Sequence, residues 1–107
     1  MVQNELERRF DAEMLEAYES WKRECSYNAT RFLQMLRNRG GAESARRLLH
    51  KKGTSFGLER LTACRALPLT VEYHVLKPEF SALFTRAQLA IARNRLLAKG
   101  LTPEQLP

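Results

Sequence analysis

The sequence predicts an all-α fold: a compact bundle of about five to six short helices around one core. Three observations predict it. Apolar residues recur at intervals of three and four along most of the chain, which is the spacing of one helical face. Helix caps, glycines and prolines stand where those stretches begin and end. Only one short stretch, Val71 to Val75, alternates with the period of a strand, and no second strand lies nearby to pair with it.

Leu6, Phe10, Met14, Ala17 or Tyr18, Trp21 and Cys25 share one face of a helix over about residues 4–25. Its opposite face alternates in sign through Glu7, Arg8, Asp11, Glu16, Glu19 and Arg23, as a solvated face does. The apolar spacing also fits about three heptads, so Leu6, Phe10 and Met14 are the residues to expect in a dimerising or partner-binding stripe. A second helix starts with Asn28 as N-cap, carries Phe32, Leu33, Met35 and Leu36, and ends at Gly40-Gly41. A third covers Glu43 to His50 with Ala45, Leu48 and Leu49 inward, and Lys51-Lys52-Gly53 breaks it. Thr54 or Ser55 caps a fourth, holding Leu58, Leu61 and Cys64.

After Pro68, Thr70 caps a short helix over Val71 to Leu76; Pro78 interrupts, and Glu79 to Phe84 is a single turn. Thr85-Arg86-Ala87-Gln88 has capping-box spacing and opens a helix with Leu89, Ile91 or Ala92, Leu96 and Leu97, which stops at Gly100. Residues 1–100 therefore read as a single helical domain. Thr102-Pro103-Glu104-Gln105 has the signals of one more helix start, so 101–107 is either a frayed tail or the start of a further helix. Trp21, Phe32, Leu36, Leu48, Leu61, Leu76, Phe80, Phe84, Leu89 and Leu96 are the expected core.

The hydrophobic content, 44%, is that of a folded chain. So short a chain has little spare volume for a deep substrate pocket. No apolar run approaches the roughly 20 residues that span a bilayer, and the N-terminus lacks the apolar region of a secretory signal. Cys25 and Cys64 sit in unrelated segments and read as reduced, mostly buried thiols of a cytoplasmic protein. Asn28-Ala29-Thr30 matches a glycosylation acceptor by letter, but without a signal peptide Asn28 is better used as a helix cap.

Charge is sorted along the chain. Residues 1–24 hold seven acids and four bases; residues 25–65 hold nine bases and two acids. Folding does not require such a basic block, which points to an anionic partner, nucleic acid first. Arg46, Arg47, Lys51 and Lys52 are the expected phosphate contacts, with Arg31, Arg37, Arg39 and Arg60 in support. Whether these side chains converge on one side or scatter over the surface is open at this level.

Residues 42–65 resemble a helix-turn-helix of the bacterial kind, in which a Gly-rich entry leads to an Ala-Ala-Arg-x-Leu helix. On that arrangement Ser55, Phe56, Glu59 and Arg60 would face bases. The turn is one residue too long, His50-Lys51-Lys52 replaces its apolar residue, and Gly57 weakens the second helix by about 1 kcal/mol. Two structural helices joined by a basic loop are the plainer account. Tyr27, Phe32 and Phe56 could stack on unpaired bases, but the spacing of Phe32 with Leu33 and Leu36 is that of core.

Signals for catalysis are poor. His50 and His74 have no paired carboxylate or nucleophile at a telling spacing, and Glu72 and His74, two apart, point away from each other on a helix. Cys25, His50, Cys64 and His74 form no ligand pair of metal-site type, and no Walker-type glycine loop is present. No metal and no cofactor is expected.

Tyr27-Asn28-Ala29-Thr30-Arg31-Phe32-Leu33, Gly40-Gly41, Ala45-Arg46-Arg47-Leu48-Leu49, Ser55-Phe56-Gly57-Leu58, Leu69-Thr70-Val71-Glu72, Pro78-Glu79-Phe80 with Leu83-Phe84-Thr85, and Ala92 to Leu96 form a pattern. It resembles a small bacterial family of all-helical proteins with no settled activity, over most of residues 10–100. The resemblance implies one compact domain and a structured element starting near Thr70, and nothing catalytic.

The expected function is a non-enzymatic module that binds DNA or RNA, gripping backbone more than reading sequence. The alternative is a protein-interaction adaptor or small subunit of a bacterial complex. It would dock an acidic protein partner through the basic block, or a partner or second copy through the first helix as a homodimer.

Overall fold

Asn4 opens α1 (Glu5–Cys25) with a reciprocal cap. Its side chain accepts the Glu7 N–H at 2.7 Å, while the Glu7 carboxylate accepts the Asn4 N–H at 3.3 Å. The computed structural model describes residues 4–52 and 56–107. Phe10, Met14, Ala17, Tyr18 and Trp21 form the buried stripe of α1, as the three-and-four spacing predicts. Ser26, left-handed at φ 51°, ends the helix.

The second helix, α2 (Thr30–Arg39), starts from Ala29 with no side-chain cap. Asn28, the expected cap, instead accepts the Tyr18 hydroxyl at 2.6 Å and so fastens the connection back onto α1. Gly40, at φ 81°, ends α2 as expected. Gly41 does not belong to that stop. It opens α3 (Gly41–His50), and its N–H donates to Asp11 Oδ1 at 2.6 Å. A Cβ there would lie 3.2 Å from both Asp11 Cα and Met14 Cγ, so α3 meets α1 where only glycine fits without a shift.

A further helix, α4 (Phe56–Ala63), packs on α1 and on the 3-10 turn Leu67–Leu69. The caps expected for it, Thr54 and Ser55, lie outside the described residues. Thr70 caps α5 (Val71–Val75), accepting the Tyr73 N–H at 3.1 Å, so the alternating stretch is helical. A 3-10 turn at Ser81–Leu83 leads to α6 (Arg86–Ala98). That helix opens with the Thr85/Gln88 capping box, at 3.1 and 2.8 Å. No strand occurs among the described residues.

Around α1 pack α2, α3, α4 and α5, and α6 closes the bundle on α3 and α5. Phe10 meets Phe80 and Phe84 edge-on at 5.1 and 5.4 Å. Of the expected core, Trp21, Phe32, Leu61, Phe80, Phe84 and Leu96 are buried; Leu36, Leu48, Leu76 and Leu89 are partly buried. A second, smaller cluster forms around Leu58, Leu67 and Leu96. Leu101 and Leu106 pack against it, so residues 101–107 fold back through a 3-10 turn at Pro103–Gln105 and do not fray. The radius of gyration, 12.8 Å, is that of a compact chain of this length, about 13 Å.

The cysteines depart from expectation. Cys25 and Cys64 are not thiols but a disulfide, with Cα atoms 5.8 Å apart. Cys25 is the last residue of α1 and Cys64 the first after α4, and each is followed by a left-handed residue, Ser26 at φ 51° and Arg65 at φ 59°. The two chain reversals bring the ends of α1 and α4 together across 39 residues. Closing a loop of that length restricts the unfolded chain by about 4 kcal/mol in the chain-entropy account. A stable disulfide belongs to oxidising surroundings, which removes the free-thiol argument for a cytoplasmic location. Among the described residues no helix is long and apolar enough to cross a membrane.

Candidate functional site

The site is built on the C-terminal end of α3. Four carbonyls at a helix end lack partners within the helix. Arg95 of α6 supplies donors for three in this region: Nη1 to Leu48 O at 3.0 Å, and Nη2 to Leu49 O at 3.3 Å and Lys51 O at 2.7 Å. Its charge is balanced by Glu72 of α5, at 3.1 Å, and both side chains are nearly fully buried. Gln88 Nε2 donates to His50 Nε2 at 2.9 Å, since its Oε1 already accepts in the α6 cap. The end of α3 is thus fixed by α6, and Lys51 and Lys52 leave it as exposed side chains.

Beside this end lie two adjoining depressions. One, about 520 Å³, is bordered by Met35 and Arg39 of α2 and by Arg47, Leu48, His50 and Lys51. The other, about 600 Å³, shares Met35, Leu48 and Lys51 with it and runs between α2, α4 and α5. Its walls include Trp21, Ala29, Phe32, Leu58, Leu61 and Val71, with Arg31 at the cationic edge. A cavity of this size was not expected in so short a chain. It lies beside α4, which packs on α1 and the Leu67–Leu69 turn and whose end is tied to that of α1 by the disulfide. Tyr27 to Phe32, Gly57-Leu58 and Thr70 to Glu72, from three segments of the sequence pattern, meet here.

The basic residues part company. Arg39, Arg47 and Lys51 border the smaller depression, Arg31 and Lys51 the larger, and Lys52 follows directly in the chain. Among the described residues no acid pairs with Arg31, Arg39, Lys51 or Lys52. Arg47 has a solvent-exposed pair with Glu43 at 3.3 Å, of small energetic weight. Arg37 is exposed on α2 but borders neither depression. Arg46 is structural: Nη2 and Nε donate to Leu83 O at 2.7 and 3.2 Å, and its guanidinium lies 5.8 Å from the Phe84 ring centre. Arg60 lies over the Tyr27 ring at 4.7 Å.

The turn of the helix-turn-helix-like pair includes residues 53–55, outside the described residues, and its two helices have different neighbours. Whereas α4 packs on α1 and the Leu67–Leu69 turn, α3 packs on α1, α2, α5 and α6. Glu59 pairs with Lys99 at 2.5 Å. Ser55 and the Phe56 side chain lie outside what is described. The stripe Leu6, Phe10 and Met14 is no docking surface as it stands, because Phe10 and Met14 are fully buried against the bundle's own core and Leu6 is half-buried. The large exposed apolar residue of α1 is Leu15.

On the far side of α5, Glu13 of α1 accepts His74 Nδ1–H and Lys77 Nζ–H, each at 2.6 Å. Burial alone would raise the Glu13 carboxyl; the bonds from Lys77 and His74 outweigh it and hold it below the usual carboxylate range. Burial, joined by the Lys77 charge, holds His74 below the usual imidazole value despite Glu13. His74 Nε2 is buried without a hydrogen-bond partner. Among the described residues no group of three or more His, Cys, Asp or Glu is placed to hold a metal.

Sequence reasoning missed Arg95, His50 as part of the depression, and the cavity. Arg95 had a signal: with Ala92 and Leu96 it lies on the inward face of α6, where an arginine needs a buried partner. No family model, curated protein or solved structure matches this chain.

Proposed function

We propose that the protein binds nucleic acid by gripping the phosphate backbone along the depression between the C-terminal ends of α2 and α3. The observation that carries this is the gathering of Arg39, Arg47, His50 and Lys51 around one concavity, with Arg31 and Lys52 extending it. Cations on α2, on α3 and just past its end neutralise phosphates without choosing bases. The contact set is smaller than the sequence suggests: Arg46 and Arg60 have structural partners, and Arg37 is elsewhere.

The test is binding to fluorescent single- and double-stranded DNA and RNA across a salt series. Five engaged cations give log affinity a slope of roughly −4 to −5 against log salt on duplex DNA. The triple variant Arg39→Glu, Arg47→Glu and Lys51→Glu is expected to abolish binding with helical content retained. Unchanged binding by that folded variant refutes the assignment, as does no binding by the parent at low salt.

A further inference from the structure

The larger cavity has a chemistry that phosphate binding does not use. Its walls are largely apolar: Met35, Leu48, Leu58, Leu61 and Val71 stand beside the rings of Trp21, Tyr27 and Phe32. Three of the polar residues in its lining hold internal partners, while Thr30 is an exposed residue of the wall. Thr70 Oγ1 donates to Leu67 O at 2.7 Å and caps α5. Glu72 is neutralised by Arg95. Asn28 Oδ1 holds the Tyr18 hydroxyl. The aromatic faces are engaged too: Tyr27 stacks on Trp21 at 5.9 Å and carries Arg60 over its ring, and Trp21 packs on Phe32 at 5.0 Å.

The oxygens of Thr70, Glu72 and Asn28 are thus taken, and Tyr27 and Trp21 are stacked on each other. What remains for a ligand is an apolar hollow with two cations at its edge, Arg31 and Lys51, and no unpaired acid in the lining. A volume of about 600 Å³ is within the range of small-molecule sites. We propose that this cavity binds a small anion with an aliphatic body, a medium-chain carboxylate. The chain lies among Met35, Leu48, Leu58, Leu61 and Val71, and the carboxylate meets Arg31 and Lys51. The inference stands apart from nucleic-acid binding, with which it shares only Arg31 and Lys51.

Trp21, the single tryptophan, lines the cavity and reports on it by its emission. Titration with hexanoate, octanoate and decanoate, each below micelle formation, is expected to give a saturable shift. Each added methylene should tighten binding about fourfold, the transfer value for one buried CH₂. Decyltrimethylammonium, with the same chain and opposite charge, should bind at least tenfold more weakly than decanoate. Gly57→Phe is expected to fill the cavity and remove binding. Its helix tolerates a side chain better than glycine, and a Cβ there meets nothing closer than 3.7 Å. Arg31→Glu, on an exposed position, is expected to weaken decanoate without affecting the fold. Arg39→Glu with Arg47→Glu should leave decanoate binding intact, which separates this site from the phosphate groove. Absence of a saturable response, no dependence on chain length, equal binding of the cationic analogue, or unimpaired binding by both folded Gly57→Phe and Arg31→Glu overturns the proposal.

Discussion

The two sides of α5 carry acid–base clusters built from similar parts with different consequences. Towards α6, Glu72 meets Arg95, whose remaining donors go to three carbonyls near the end of α3. Towards α1, two residues further on, His74 meets Glu13, which Lys77 also holds. In the first cluster the guanidinium is engaged through both Nη1 and Nη2. The second contains a titrating ring with one nitrogen, Nε2, lacking a partner. A buried charge that is fully paired behaves as part of the scaffold. A buried group left half-satisfied makes the scaffold responsive to its surroundings.

The largest test of this contrast is Arg95→Met. It leaves Glu72 buried without a counter-charge and withdraws donors from Leu48, Leu49 and Lys51. Breaking a buried pair from one side costs about 3–5 kcal/mol, measurable as a shift of the urea midpoint at neutral pH. The double variant Glu72→Leu, Arg95→Met is expected to lose less than Arg95→Met alone, because no orphan charge remains. Equal losses would mean that the carbonyl contacts, not the ion pair, carry the effect.

The other side should give way less. Glu13→Gln keeps the shape of the side chain, but it weakens the charge-assisted bonds from His74 and Lys77. The Glu13 side chain is 24% exposed, so water can replace part of what is lost. The expected cost is about 1–2 kcal/mol, read in the same urea experiment. A loss matching that of Arg95→Met would erase the distinction between the two sides.

How much of this was legible in the sequence differs along similar lines. Local signals were readable. The Thr70 and Thr85 caps, the stop at Gly40 and the apolar stripe of α1 all depend on residues within a few positions of each other. Contacts between distant segments were not. Asn28 looks like a cap until Tyr18, ten residues earlier, takes its side chain. Arg46 and Arg47 are neighbours of one chemistry, yet α3 turns Arg46 onto Leu83 and Phe84 and leaves Arg47 at the open groove. Cys25 and Cys64 carried no spacing signal, because their meeting depends on where α1 and α4 end. The cavity was illegible for the same reason: its walls come from α1, α2, α3, α4 and α5, and no one segment encodes a gap.

The smallest expected effect is the most discriminating, a pH dependence confined to the His74 side. Burial lowers the folded-state pKa of His74 below its ordinary value of 6.5. Below that pH the unfolded chain takes up a proton that the folded protein resists, so the unfolded state binds more protons and stability falls as the solution is acidified. Glu13 acts in a separate window. Its lowered pKa contributes stability above the ordinary 4.5, lost as the pH falls through the folded value. Urea midpoints at pH 7.5 and 5.5 isolate the histidine step, and His74→Gln should flatten the difference between them. If acid instead stabilised the parent in this interval, the attraction of Glu13 for the imidazolium would exceed the cost of burying it. The His74 side would then behave like the Glu72 side, as a charged pair held by the scaffold.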